Sequence, residues 1–416
     1  MTHSFARAAG LWRSLTQQVA TGPWTLVGGS LRSLAALLAA TLVLTTTQLP
    51  AATHACPFCS AQSQTLSEEI TAMDVAVIAT LESIPMKGKD SDEVVKAKFK
   101  IVQIIKGEKA LAKKTTVETV YFGDAKMGKK FFITGVGPEN IQWSTPLPLS
   151  AVAEKYIGEL PKLPKAGAER LEYFQKFLEN SDELLARDAY DEFAKSPYEV
   201  VQALKPKMNH DQLVAWIKDT NVVTSRRRLY LTLLGVCGSE KDVPMLETML
   251  LAEDRKQRSG LDALIACYLI LKGPAGLPLV EKQFIQNAKA EYADTYAAIM
   301  ALRFHGNDVK VIPKERVVAS LRLMLDRPNL ADLVIPDLAR WEDWESMDKL
   351  VSLFKQADEK TSWVKVPVVN FLRACPLPEA KNKIKELEKI DPESVKRANT
   401  FFPFPTGSAP NSPAKS

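Results

Sequence analysis

The residues with the most recognisable chemistry in this sequence are two cysteines in the motif Cys56-Pro57-Phe58-Cys59. Two thiols at this spacing can form a disulfide, exchange disulfides with another protein, or supply two ligands to a metal ion. A helix is predicted shortly after the motif, because a capping-box pattern begins at Thr65. The N-terminus of a helix lowers the pKa of a nearby thiol, so a thiol-redox protein is one hypothesis for this chain.

The context of the cysteine pair favours a structural role. Redox motifs of the thioredoxin type follow a strand of a βαβ unit, and a c-type haem site needs a histidine where Ser60 stands. In an oxidising compartment two close cysteines are expected to be joined, so we predict a disulfide between Cys56 and Cys59. The other three cysteines lie among apolar residues at helical spacing and are predicted to be buried as small hydrophobic side chains: Cys237, Cys267 and Cys375.

The N-terminal segment predicts that the chain is exported. The first acidic residue of the chain is Glu68, and an apolar run of 11 residues, 34–44, follows Arg32. This run is about half as long as a membrane-spanning helix requires. A basic region, a short apolar core and then small residues predict a signal peptide over residues 1–55, cleaved between Ala55 and Cys56. The mature chain is then expected in the periplasm, the cell envelope or the exterior, with no membrane span.

Two alternatives remain open for this segment. The apolar run could stay attached as an N-terminal membrane anchor, or Cys56 could carry a lipid, as the first residue of a mature lipoprotein does. Lipoprotein signals have a leucine-like residue three positions before the cysteine, where Thr53 stands, and a small residue two positions before it, where His54 stands. These mismatches favour a soluble exported chain.

The charge of the predicted mature chain argues against a nucleic-acid partner. Removing the three arginines of the first 55 residues from 54 basic residues leaves 51, against 49 acidic ones, which is a net charge of +2. Nucleic-acid-binding proteins carry a basic footprint for the phosphate backbone. The densest basic cluster, Arg226-Arg227-Arg228, precedes the apolar positions of a helix and is interpreted as a solvated helix face. The expected partner is therefore another protein.

Residues 56–150 are predicted to form a small β domain. Several segments combine β-branched and aromatic residues with apolar alternation, and glycines separate them. The predicted strands cover residues 74–81, 94–105, 115–122 and 130–134. Short strands at this density indicate a small barrel or sandwich.

This domain resembles a known module. An N-terminal cysteine, a helix, the strand "DVAVIATL" and a long strand ending "IVQIIKG" resemble the netrin-like module of tissue inhibitors of metalloproteinases. The resemblance implies an OB-type barrel over residues 56–150, and a hypothesis in which the α-amine and carbonyl of Cys56 chelate the zinc of a protease. The sequence departs from the family in its Cys-x-x-Cys spacing and in Pro57, where threonine or serine is usual. The inhibitor function is thus an analogy from the fold.

Residues 186–398 are predicted to form helical hairpins that repeat along the chain. Five segments share an apolar helix, a break and a second apolar helix: 229–250, 261–284, 297–325, 335–354 and 368–387. Equivalent marker residues Leu234, Leu271, Leu302, Ala339 and Leu372 are 37, 31, 37 and 33 residues apart. Such a period is that of a helical-hairpin repeat, and residues 189–390 resemble HEAT repeats. The resemblance implies an α-solenoid, in which stacked hairpins bury their apolar faces.

The sequence holds no familiar catalytic or metal-binding pattern. The predicted mature chain has two histidines, His210 and His305, and both are interpreted as surface or capping residues. Trp341 and Trp344 flank a predicted repeat turn and could contact a ligand, although packing between adjacent hairpins is the favoured interpretation. No cofactor is expected.

The predicted fold is α+β and multidomain, an OB-like β-barrel followed by an α-solenoid. Its predicted parts are a signal peptide (1–55), a netrin-like OB-type domain (56–150), a linker with a short helix (151–185), a HEAT-like α-solenoid (186–398) and a disordered tail (399–416). The predicted function is non-enzymatic protein interaction or scaffolding through the helical-repeat surface. The alternatives are a thiol-redox protein using Cys56 and Cys59, and a metalloprotease inhibitor led by Cys56.

Overall fold

The computed structural model describes residues 57–61, 63–84, 96–123 and 126–400, except for the side chain of residue 399. All of these residues belong to one compact unit, Thr53–Ser416. The predicted signal peptide, its cleavage site between Ala55 and Cys56, and residues 401–416 of the predicted tail lie outside the described residues.

The N-terminal part forms a short helix and an antiparallel sheet. Helix α1 (Leu66–Ala72) begins with the predicted capping box, in which Thr65 and Glu68 exchange hydrogen bonds between side chain and backbone N–H. The other elements of this part are β1 (Val75–Ser83), β2 (Lys96–Lys106), α2 (Glu108–Leu111), β3 (Thr116–Val120), β4 (Lys130–Val136), β5 (Gln142–Trp143) and β6 (Leu147–Pro148). The four predicted strands correspond to β1 to β4.

The sheet is nearly closed on itself. Its strands pair in the order β3-β2-β1-β4-β5, and β6 pairs with β4. The two ends of this order approach each other, because Thr119 Oγ1 of β3 donates a hydrogen bond to the carbonyl oxygen of Ser144, which follows β5, at 3.3 Å. A barrel-like antiparallel sheet followed by helices confirms the predicted α+β class.

Strand β1 is buried on both faces over most of its length, which explains why six of its nine positions are apolar. On one face Val77 packs inside the sheet with Phe99 and Phe131. On the other face Ala76 and Ile78 join an apolar cluster that continues through the helices of the C-terminal part. The sheet and the helices therefore share one core along β1.

The segment predicted as a linker, 151–185, also belongs to this core. It carries helix α3 (Ala151–Glu159), a short 3-10 segment (Leu160–Lys162) and helix α4 (Ala168–Gln175). Tyr156 and Phe174 are 1% and 0% exposed in these helices. Their burial fixes the segment between the sheet and the helices that follow.

We call the helices between residues 183 and 400 the helical array. They are α5 (Glu183–Ala194), α6 (Tyr198–Ala203), α7 (His210–Lys218), α8 (Thr224–Cys237), α9 (Val243–Leu251), α10 (Leu261–Lys272), α11 (Leu277–Val280), α12 (Tyr292–Asn307), α13 (Lys314–Arg322), α14 (Ile335–Arg340), α15 (Met347–Gln356), α16 (Lys365–Ala374), α17 (Pro378–Ile390) and α18 (Pro392–Thr400). Short 3-10 segments connect several of them, and a π-helical segment, Glu281–Ile285, continues α11.

The five predicted hairpins are each present as two helices separated by a break, from α8 with α9 to α16 with α17. Among the first helices of successive hairpins, α8 contacts α10, α10 contacts α12, and α14 contacts α16, while the hydrogen bond from Arg303 to Asp337 links α12 to α14. The five marker residues chosen from the sequence all lie in these first helices. The local pattern of helix and break was therefore predicted correctly.

Ion pairs link neighbouring hairpins at a nearly constant sequence separation. They join Arg228 to Asp262 (34 residues apart, 2.8 Å), Arg258 to Asp294 (36 residues, 2.9 Å) and Arg303 to Asp337 (34 residues, 2.8 Å). Each pair thus joins an arginine to an aspartate about one hairpin later, although the arginines stand at different points: near the start of α8, in the loop before α10 and near the end of α12.

The arginine cluster is not the solvated helix face that the sequence predicted. Arg227 is 1% exposed and donates hydrogen bonds to the carbonyl oxygens of Lys256 and Gln257, at 2.6 and 3.0 Å. The prediction was wrong because a guanidinium can satisfy its donors with backbone carbonyls of the next hairpin, which a single helix does not reveal.

Candidate functional site

The chain that follows the cysteine motif crosses the start of the helical array. We call residues 58–61 and 63–68 the N-terminal arm. Within it, the Leu66 N–H donates to Asp188 Oδ1 at 2.6 Å, and Ser63 Oγ donates to Asp191 Oδ2 at 2.7 Å. Both aspartates belong to α5 and are 5% and 0% exposed. The arm is therefore attached to α5 by buried acids.

Asp188 uses both of its oxygens as acceptors. Its second oxygen, Oδ2, accepts a hydrogen bond from the Tyr156 hydroxyl at 2.5 Å. Burial raises the pKa of Asp188 to about 6, with a further increase from the charges of Glu192 and Asp191, while the hydrogen bonds from Tyr156 and Leu66 act in the opposite direction. The carboxylate joins three pieces of the chain: the arm, α3 and α5.

Phe58, between the two cysteines of the motif, packs against the helical array. Its ring lies 5.1 Å from that of Phe304 on α12, edge to face, and Phe304 in turn lies 5.4 Å from Tyr198 on α6. Such aromatic pairs contribute packing energy beyond the area that they bury. The motif is thus fixed to helices more than 130 residues away in sequence.

The described cysteines fall into two groups, the three free thiols of the helical array and Cys59 of the motif. Cys237, Cys267 and Cys375 are free thiols; Cys267 and Cys375 are buried as predicted, whereas Cys237 is only partly buried. Burial raises the pKa of Cys237 and Cys267. Cys59 is not among the free thiols. Cys56 lies outside the described residues, so its disulfide with Cys59 stays a prediction.

A cleft of about 740 Å³ opens beside the arm. It lies between α1, the loop that precedes α4, and the helices α5 and α6, and its apolar lining includes Ile70, Leu160 and Pro197. The volume is in the range of small-molecule sites in proteins.

Two ion pairs lie on the wall of this cleft. Arg170 forms a two-pronged pair with Glu192, at 2.7 and 3.0 Å, and Lys195 pairs with Glu68. Burial by itself would raise the pKa of Glu68, but the hydrogen bond and charge of Lys195 and the N–H of Thr65 outweigh it, so that the pKa is lowered. The two cations of these pairs, Arg170 and Lys195, are therefore each neutralised by a carboxylate.

Among the described lining residues, Ser67 is the one with a buried side-chain polar atom that lacks a hydrogen bond, its Oγ. A serine becomes a nucleophile when a base accepts its proton. No base among the described residues accepts the proton of the Ser67 hydroxyl.

Trp341 and Trp344, the aromatic residues proposed from the sequence as ligand contacts, lie between helices. Trp341 Nε1 donates to Asn307 Oδ1 at 3.1 Å. The indole also covers Gly306, where an added Cβ would lie 2.3 Å from the ring. Trp344 packs against Phe371 of the next hairpin, with centroids 5.2 Å apart. The structure does not bring the two tryptophans together at a cleft.

The two histidines differ from each other. His210 is partly exposed at the first residue of α7, and hydrogen bonds with Asp211 and Asp242 raise its pKa. The prediction of a surface position for His305 was wrong, because α12 continues through it and leaves it 1% exposed. Burial lowers the pKa of His305 to about 4, while a contact with the Ala266 carbonyl acts the other way.

An exposed aromatic pair was missed in the sequence. Tyr292 and Tyr296, 58% and 39% exposed on α12, have nearly parallel rings with centroids 6.0 Å apart. The Arg303 guanidinium lies 5.9 Å from the Tyr296 ring and is held by Asp337. The signal was the spacing of four residues between the tyrosines, which places them on one helix face.

Metal and membrane sites were also sought in the described part of the chain. It contains no group of three or more His, Cys, Asp or Glu side chains that could hold a metal ion. One stretch, Leu261–Ile285, is long and apolar enough to cross a membrane, and 56% of its most apolar window is buried. Buried core helices of soluble proteins meet the same criterion, so this stretch is weak support for a span.

Comparison of the chain with family models, with curated proteins and with solved structures found no match.

Proposed function

We propose that this chain is an exported, non-enzymatic interaction or scaffold protein that binds a partner protein through its helical array. In this proposal the sheet is an OB-like barrel of netrin-like type, and the array is a HEAT-like α-solenoid. The Arg–Asp pairs 34 to 36 residues apart support the solenoid, because each of them spans about one repeat period and joins one hairpin to the next.

The observation that carries the proposal is the aromatic pair on α12. Tyrosine, tryptophan and arginine are the residues that contribute most to binding at protein interfaces. Tyr292 and Tyr296 are exposed, stacked on each other and adjacent to Arg303, which Asp337 holds in place. A side chain ordered before binding loses less conformational entropy on binding. We call Tyr292, Tyr296 and Arg303 the tyrosine patch.

The cysteine pair is proposed to be a structural disulfide. Phe58 packs against Phe304, and Cys59 is half-buried against the same core. A pair held in this way is a poorer substrate for thiol exchange than an exposed one. This supports the structural role over the thiol-redox alternative.

Photo-crosslinking in the native host tests the tyrosine patch. p-Benzoylphenylalanine is placed at position 292 or, as a matched control, at position 211, where the Asp211 side chain is fully exposed on α7. We expect a crosslinked adduct of defined mass from position 292 only, and its loss in the Tyr296→Ala, Arg303→Met background.

Two outcomes would contradict the proposed function. One is the lack of any difference between positions 292 and 211, whether both give the same adducts or neither gives one. The other is a hydrolytic or transferase activity that survives purification and depends on a single acidic side chain.

A further inference from the structure

One end of the barrel-like sheet presents apolar side chains directly to solvent. At this end β3 stops and β2 and β4 begin. Phe122 is 91% exposed and Met127 is 54% exposed in the connection between β3 and β4. We call Lys96, Phe122, Lys126, Met127 and Lys129 the sheet tip.

The packing below the tip prevents Phe122 from turning inwards. Tyr121, its neighbour, occupies the interior with Phe99 and Phe131, and the three rings contact each other edge to face at 5.1 to 5.8 Å. Tyr121 also lies over Gly123, where an added Cβ would be 2.3 Å from the Tyr121 hydroxyl. The interior next to the tip is thus already filled.

Backbone hydrogen bonds hold the C-terminal side of the tip against β1. The Gly128 N–H donates to the carbonyl oxygen of Leu81 at 3.2 Å, and the Leu81 N–H donates to that of Lys129 at 3.0 Å. Lys129 also lies 5.8 Å from the Phe131 ring. Met127 and its flanking lysines therefore project from an anchored turn.

The charge around the tip is strongly positive, although the predicted mature chain is nearly neutral. At this end of the sheet, residues 96–98 and 121–130 contain five lysines and one acidic residue. Lys98 and Lys130 are paired with Glu82 and Glu154. The three tip lysines, Lys96, Lys126 and Lys129, are exposed and form no ion pair with any described residue.

We propose that the sheet tip binds the surface of an anionic phospholipid bilayer. Phe122 and Met127 enter the head-group region, and the tip lysines contact lipid phosphates. Exposed apolar side chains flanked by lysines bind such surfaces by apolar burial together with electrostatic attraction. A lipid surface fits better than a protein partner, because the apolar residues protrude singly from a turn and do not form the broad patch that a protein interface requires.

Vesicle co-sedimentation tests this proposal with the protein as purified and its N-terminus determined by mass spectrometry. The vesicles contain phosphatidylcholine alone or with phosphatidylglycerol. We expect binding to the anionic vesicles that weakens with added salt. Phe122→Ser with Met127→Ser should weaken the binding at least tenfold. Lys126→Glu with Lys129→Glu should do the same, since each lysine near an anionic surface is worth about fivefold in affinity.

The matched controls lie on the helical array. Lys381→Glu removes an exposed lysine of α17, and Trp363→Ala removes a half-exposed aromatic ring; both should leave vesicle binding unchanged. All variants carry the same N-terminal segment, so any binding through that segment cancels in the comparison. Binding that ignores the tip variants, or that is equal on neutral and anionic vesicles, would overturn the proposal.

A second measurement separates lipid insertion from attraction to acidic polymers. Phe122→Trp should gain a blue-shifted fluorescence component when anionic vesicles are added, because the new indole leaves water. Binding to polyglutamate without any binding to vesicles would overturn insertion in favour of a soluble acidic partner.

Discussion

At the scale of single residues, the contact between the N-terminal arm and α5 depends on carboxylates that are buried and still hydrogen-bonded. Asp188 is 5% exposed, yet each of its oxygens accepts one hydrogen bond, from Leu66 and from Tyr156. An ionised group is costly to bury, and these donors offset only part of that cost, since the pKa stays raised at about 6.

This environment predicts a pH dependence of stability. The folded-state pKa of Asp188 is about 6 and its ordinary value is 3.8. A raised carboxyl pKa means that the folded state binds the proton more tightly, so the contribution to stability is full below the ordinary value and is lost as pH rises through 6. When the pH rises from 5 to 7.5, the free energy of unfolding of the wild type should fall by about 1 to 2 kcal/mol more than that of Asp188→Asn. Urea unfolding at both pH values measures this difference.

The comparison with the variant is necessary because His305 acts in the opposite direction. Burial lowers the pKa of His305 to about 4, so its contribution to stability is lost as pH falls below the ordinary value of 6.5. The two effects partly cancel in the wild type alone. An unchanged difference between wild type and Asp188→Asn from pH 5 to 7.5 would show that Asp188 is ionised throughout.

At the scale of elements, arginine–aspartate pairs join one hairpin to the next. Asp337 is 1% exposed and accepts hydrogen bonds from Arg303 of the preceding hairpin at 2.8 Å and from Arg340 at 2.9 Å. Removal of one partner from a buried pair leaves the other charge without compensation, which costs more than the pair itself contributes.

Asp337→Ala is therefore expected to lower the free energy of unfolding by about 2 to 4 kcal/mol. Asp326→Ala is the matched control, because the Asp326 side chain is 70% exposed and its pair with Lys349, at 2.8 Å, is solvated. Exposed pairs of this kind contribute at most about 1 kcal/mol. Urea unfolding of both variants checks the contrast, and equal losses would contradict a special role for the buried pair.

At the scale of the whole molecule, the sheet and the helical array share a core, and the arm adds hydrogen bonds between them. Ala76 and Ile78 of β1 belong to the same apolar cluster as the helices. The arm joins α1 to α5 through Asp188 and Asp191. Two parts connected in this way should unfold in one cooperative step.

Phe131→Ala tests this cooperativity from inside the sheet. Phe131 is 0% exposed and belongs to the interior cluster of the sheet, so its truncation should cost about 3 to 5 kcal/mol. The unfolding midpoint should fall equally when followed by hydrogen exchange of sheet amides and by tryptophan fluorescence, which reports mainly on the array. The array holds four of the described tryptophans: Trp216, Trp341, Trp344 and Trp363. A lowered midpoint for the sheet alone would show two independent domains.

The sequence by itself determined the type and order of the elements. Alternating apolar residues marked β2, the capping box marked the start of α1, and the spacing of apolar helices marked the five hairpins. These signals are local, because the side-chain periods of a strand and a helix act over a few residues. The sequence also marked Cys237, Cys267 and Cys375 as buried positions, which the structure confirms for Cys267 and Cys375, whereas Cys237 is only partly buried.

Only the tertiary structure decided which polar residues are buried. At about 100° per residue, Asp191 falls opposite the apolar face of α5 that Ala189 and Phe193 mark, and Asp188 falls to one side of that face, so an isolated helix leaves both in water. They are buried because the N-terminal arm covers this side of α5. The arm residues that bond to them, Leu66 and Ser63, are 122 and 128 positions away in the sequence. Arg227 and His305 were misplaced for the same reason. Burial is a property of the assembled elements, and a pattern within one element cannot specify what will cover it.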